Sequence, residues 1–147
     1  MTRILSRSLA AAVLVAIVAA CSAPAASAPA ASAGASAPAA SGNRPSSPAV
    51  VTIVKPTSGE SVTGTSVHVA LTLTGAQIVS ATTTNIRPDQ GHVHLYVDNV
   101  LVSMNYGLEQ DLPVHAGTYV LKAEFVAADH APFNPRVWSP EVFFTVK

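Results

Sequence analysis

Residues 91–106 read Gly91-His92-Val93-His94-Leu95-Tyr96-Val97-Asp98-Asn99-Val100-Leu101-Val102-Ser103-Met104-Asn105-Tyr106, and their reading decides the fold. Asp98-Asn99 is a favoured pair for a two-residue type I′ turn. With the turn there, Val97 faces Val100 and the flanking residues pair outward from it as a β-hairpin. One face then collects Val93, Leu95, Val97, Val100, Val102 and Met104, and the other His92, His94, Tyr96, Leu101, Ser103 and Asn105. A one-residue slip would mix apolar and polar side chains on both faces, so the pattern itself supports this register.

The same period of two runs through the flanking segments, with turn residues between them. Ala49 to Val54 is β-rich and stops at Lys55-Pro56-Thr57-Ser58-Gly59. From Ser66 to Thr74, Val67, Val69, Leu71 and Leu73 share a face, and His68 falls on the polar side. Ile78 to Thr84 reads as a weak edge strand. After Ala116-Gly117, the segment Thr118 to Ala127 places Tyr119, Leu121, Ala123, Phe125 and Ala127 together. Ala128 to Pro140 is a proline-rich loop whose Phe133 and Trp138 are expected to plug one end of the fold. Glu141 to Val146 closes the chain with Val142, Phe144 and Val146 on one face. Six to seven short strands and no convincing helix predict an all-β, antiparallel, immunoglobulin-like β-sandwich over residues 49–147. The antibody-type disulfide and strand-C tryptophan are absent. With no cysteine after Cys21, the domain must stand on its hydrophobic core.

The residues before this domain are of another kind. Arg3 and Arg7 precede an apolar run, Leu9 to Ala20, and then comes Cys21, the only cysteine. A basic start, a short apolar run and small residues before a cut form the pattern of a secretory signal peptide, here residues 1–20. The run is about a dozen residues, short of the ~20 that span a bilayer. Val18-Ala19-Ala20-Cys21 resembles the lipobox of bacterial lipoproteins. That resemblance implies a diacylglycerol on the Cys21 sulfur, acylation (palmitate among the acyl chains) and an exported chain anchored to the membrane, facing periplasm or cell exterior. Residues 21–48 are almost entirely Ala, Ser, Pro and Gly, with Ser-Ala-Pro-Ala-Ala copies beginning at Ser22, Ser27 and Ser36. Recurring prolines and the lack of large apolar residues predict a disordered tether, reaching ~80 Å if fully extended at ~3.1 Å per residue.

Once Arg3 and Arg7 leave with the signal, Arg44, Lys55, Arg87, Lys122, Arg136 and Lys147 face eight carboxylates. This mild negative balance has no basic stripe and argues against a nucleic-acid partner. There is no Gly-x-Ser-x-Gly elbow and no phosphate-cradling loop, and Asp89, Asp98, Glu109, Asp111 and Asp129 fall at turns and loops with no glycosidase spacing, so a non-enzymatic protein is expected.

Gly91-His92-Val93-His94-Leu95-Tyr96-Val97-Asp98 followed by a hairpin, and later Asp129-His130, resembles a group of small bacterial envelope domains of unknown function. Those carry Gly-His-x-His-Leu-x-x-Asp, then Gly-x-His-x-Leu, then Asp-His. The middle element here reads Gly117-Thr118-Tyr119-Val120-Leu121, with Tyr119 where a histidine is common and His115 nearby.

His92 and His94 lie two apart on a strand, so both imidazoles project from one face and a shared metal is geometrically feasible. His130 is the candidate third ligand, with Asp129 and His115 as alternative or supporting groups. Copper or zinc suits imidazole, and a methionine would favour copper. In the hairpin register, however, Met104 points to the opposite face. The competing reading has these histidines bond loop backbone or Asp129 and pin the long loop over the sheet. The leading expectation is therefore a lipid-anchored envelope module without a cofactor, binding an envelope protein or small ligand. A copper or zinc protein using the His-x-His strand stands second.

Overall fold

The computed structural model describes residues 43–147; the signal-like segment, Cys21 and the tether as far as residue 42 lie outside the described residues. Ten strands follow one another: β1 Val50–Lys55, β2 Glu60–Val62, β3 Ser66–Thr74, β4 Gln77–Ile78, β5 Gln90–Val97, β6 Val100–Asn105, β7 Glu109–Pro113, β8 Gly117–Ala127, β9 Pro132–Trp138 and β10 Val142–Val146. One sheet has the order β1-β3-β7. The other runs β2-β10-β8-β5, with β6 and the short β4 beside β5, and β9 beside β8. The additions to the expected set are the short strands β2 and β7 at sheet margins and the longer β9, while the edge strand expected over Ile78 to Thr84 is reduced to β4. β2 and β4 pair parallel to β10 and β5, so the architecture is predominantly rather than wholly antiparallel.

Alternation builds the core as expected. Val51 and Ile53 of β1 and Val67, Val69 and Leu71 of β3 meet Val93, Leu95, Leu121, Phe125 and Phe144 of the facing sheet. Fully burying each of the larger of these side chains contributes ~1.5–3 kcal/mol. Phe133 does plug the fold: it is fully buried and stacks on Phe125 at 5.6 Å between ring centroids.

Three departures from the sequence reading shape the site. The Asp98-Asn99 turn forms, with φ of 51° and 68°, and Val97 pairs Val100 as expected. A β-bulge then slips the ladder, so that Leu95 pairs Ser103, His94 pairs Met104 and Val93 pairs Asn105. Val102 is the extra residue, and everything beyond it changes face. Met104 therefore lies on the histidine side of the sheet. Second, the Ala128–Pro140 loop contains β9, which pairs with β8 through Trp138, Val137 and Pro132 while residues 133–136 bow out of the ladder. Third, the chain is docked from Arg44 onward, although composition placed residues 44–48 in the tether. The Asn134 amide donates to Pro45 O, and the Arg44 guanidinium binds the segment after β8.

Candidate functional site

β5 buries both of its faces. Val93 and Leu95 enter the core, while His92, His94 and Tyr96, on the side expected to face water, are at most 1% exposed. Their cover is supplied by the turn after β8 and by β9. Gly91 sets the approach at the start of β5: a Cβ there would collide with the carbonyl oxygen of Val126 on β8.

His130 reaches this face because its backbone is left-handed, with φ 62°, a conformation histidine tolerates better than most residues. Its amide donates to Ala127 O, and the Ala127 amide donates to Ala131 O, closing a tight turn. The imidazole stacks on His92 at 4.3 Å between centroids, 25° from parallel. His130 Nδ1 lies 3.3 Å from His94 Nε2, and the two ring planes differ by 17°. Their centroid separation of 5.6 Å is that of two nitrogens meeting head-on. His130 Nε2 faces Thr82 Oγ1 at 3.3 Å and the Tyr106 hydroxyl at 3.4 Å. Tyr106 also meets His92 edge-on at 4.7 Å. The structure thus unites His92, His94 and His130 and adds Tyr106, which the sequence reading did not single out.

Hydrogen-bond roles follow from the partners. His92 Nε2 lies 3.1 Å from Ala128 O, which only accepts, so that nitrogen must donate. His92 Nδ1 and His94 Nδ1 are buried without a partner. Each such orphan costs ~1–3 kcal/mol. Burial pushes His94 down to about 4, helped by the neighbouring His130, His92 and Arg136. Burial likewise lowers His130, with His92 adding to the effect and Asp129 opposing it. Both shifts favour the neutral ring, the form that ligates metals.

Asp129 and His115 are not part of this cluster. The Asp129 carboxylate is committed to Arg44, with Nη1 and Nη2 at 2.6 and 2.7 Å, and Arg44 also donates to Pro132 O and Ala131 O. That hydrogen-bonded pairing holds Asp129 below the usual carboxylate range. His115 is exposed ahead of β8, with its backbone bonded to the Tyr119 hydroxyl, whereas His130 follows the far end of that strand. Among the described residues, no three His, Cys, Asp or Glu side chains form a ready-made metal cage.

A second buried network adjoins the histidines. Glu124 pairs across the ladder with His94 and has no exposed surface. Its oxygens accept from Arg136 Nε at 2.6 Å, Arg136 Nη2 at 2.7 Å and the Tyr96 hydroxyl at 2.9 Å. Burial beside this carboxylate raises Tyr96. Trp138 lies under both Arg136 and Lys122, each 4.7 Å from its ring, and meets Tyr96 edge-on. It therefore covers the outer face rather than plugging an end.

The chain matches no protein-family model and no curated protein. It is similar to a solved structure described as "Structures of Clostridium thermocellum CbhA fibronectin(III)-like modules", with 25% identity and a TM-score of 0.50. The match covers 67% of this chain and 46% of that one, so this chain spans less than half the length of its solved relative. The fold is that of an immunoglobulin-like β-sandwich of the fibronectin-III type.

Proposed function

We propose that this chain is an exported cell-envelope lipoprotein whose β-sandwich is a non-enzymatic binding or accessory module. The observation that carries the reading is a fibronectin(III)-like sandwich in a chain whose Val18-Ala19-Ala20-Cys21 resembles a lipobox. Cys21 carries the lipid, the Ala/Ser/Pro segment spaces the domain from the bilayer, and the sandwich engages an envelope protein or small ligand. Two or more acyl chains hold such a protein stably, where one gives only marginal binding.

The test is expression of the full chain in a bacterial host fed labelled palmitate, beside Cys21→Ser. Label on the parent, and a shift of the variant from the detergent phase to the aqueous phase, support anchoring. A parent that takes no label and partitions with the aqueous phase refutes it.

A further inference from the structure

We propose that the histidine face is a site for monovalent copper, held between His94 Nε2 and His130 Nδ1 with the Met104 thioether as third donor. This inference does not depend on lipid at Cys21.

The two nitrogens already face each other in line at 3.3 Å. Metal–imidazole bonds of about 2.0 Å put opposed nitrogens about 4 Å apart. An ion can therefore take the place of the shared proton if the rings part by about 0.7 Å. The proton then moves to His94 Nδ1 or to His130 Nε2 beside the Thr82 and Tyr106 hydroxyls, so that both rings stay neutral. His130 sits on a turn rather than within a strand, so the movement falls on the more adaptable partner. The unpartnered nitrogens are His92 Nδ1 and His94 Nδ1, outside the proposed ligand pair, and they mark this buried face as more polar than its protein partners require.

Charge selects the ion. The two nearby carboxylates are each matched by an arginine, Glu124 by Arg136 and Asp129 by Arg44. The donor set is thus neutral, and a divalent ion here would carry about four times the self-energy of a monovalent one with no anion to offset it. Softness points the same way. Met104 is the direct cross-strand partner of His94, hence on the same face, and is 57% exposed. Directly paired side chains have Cβ atoms about 5 Å apart, within reach of a flexible thioether. Thioether and imidazole together suit copper(I), whereas zinc favours a closed set of four ligands.

The experiment is anaerobic copper(I) competition against a chromophoric chelator, using the full chain with Cys21→Ser so that the thiol cannot compete. Variants His130→Ala and Met104→Leu, each checked for an unchanged circular dichroism spectrum, stand beside His115→Ala as control. The expected result is about one copper ion per chain, with X-ray absorption showing nitrogen and sulfur neighbours. His130→Ala should weaken binding by at least about tenfold, the scale that even outer-shell changes reach. Met104→Leu should remove the sulfur signal, and His115→Ala should change nothing. Zinc holding the site against copper(I), an undiminished affinity in folded His130→Ala, or a sulfur signal surviving Met104→Leu would overturn the proposal.

Discussion

Arg136→Met puts the outer-face network to a quantitative test. Glu124 is fully buried, and two of the three hydrogen bonds to its oxygens come from Arg136. Methionine preserves much of the apolar stem while deleting the charge. Tyr96 alone then faces a carboxylate closed off from water. Stranding one partner of a buried pair costs ~3–5 kcal/mol. Since the Arg136 side chain is 26% exposed, water reaches part of the broken site, and the expected loss is the lower end, ~3 kcal/mol. For a domain of this size that lowers Tm by ~12–24 °C, at ~4–8 °C per kcal/mol. Thermal and urea melts near neutral pH measure the deficit, and repeating them in mild acid identifies its origin. Protonation relieves a stranded carboxylate, so the gap between parent and variant should narrow in acid. The double variant Arg136→Met/Glu124→Leu removes both charges and should return to within ~1–2 kcal/mol of the parent. A deficit that is the same at both pH values, with no recovery in the double variant, would refute the electrostatic account and leave lost packing against Trp138 as the cause.

Other consequences are simpler. His94 titrates near 4 in the fold and near 6.5 in the unfolded chain. The unfolded state therefore binds the extra proton in that window, and metal-free protein should lose up to ~3 kcal/mol as pH falls through it. His94→Gln should flatten that part of a stability–pH curve, and an unchanged slope would show that the ring is not held neutral. Arg44→Ala should cost ~1–2 kcal/mol and speed amide exchange at Ala131 and Asn134, because the arginine ties the chain's docked start to that loop. Gly91→Ala should destabilise by ~1–3 kcal/mol in denaturant melts, since its Cβ meets backbone that cannot swing aside.

The core was legible because it obeys one rule. In β3, β8 and β10, alternate apolar residues point inward, and the buried positions Val67, Val69, Leu71, Leu121, Phe125 and Phe144 are those the period of two selects. The Asp98-Asn99 turn was equally readable, because its chemistry is local. The bulge at Val102 was not. Its neighbours Leu101 and Ser103 carry no glycine or proline to mark a slip, and the apolar Val102 and Met104 satisfied the unbulged register equally well. Both in fact stay largely exposed, so little burial energy held them to the face that alternation assigned.

The site shows the complementary failure. A strand with one wet face should alternate, and His92, His94 and Tyr96 fit that expectation as polar side chains facing out. Their burial depends on Tyr106 at the hairpin's end and on a cover whose contacts at Ala128 and His130 come 36 positions later, and the alternation of the hairpin does not announce it. A clue lay in Glu124, an acid on a strand whose neighbouring outward residue Val126 is apolar and fully buried. An apolar residue on the supposedly wet side implies that something lies over it, and a carboxylate under the same cover then requires a cation. Arg136 on the proline-rich segment answers both demands, which is also why that segment is a strand rather than a loose loop. His130 follows from the same cover, since the turn that starts it must fold back over β5. The three histidines meet because the second face of the sheet is closed, and that closure rests on Glu124 and Arg136 as much as on the histidines themselves.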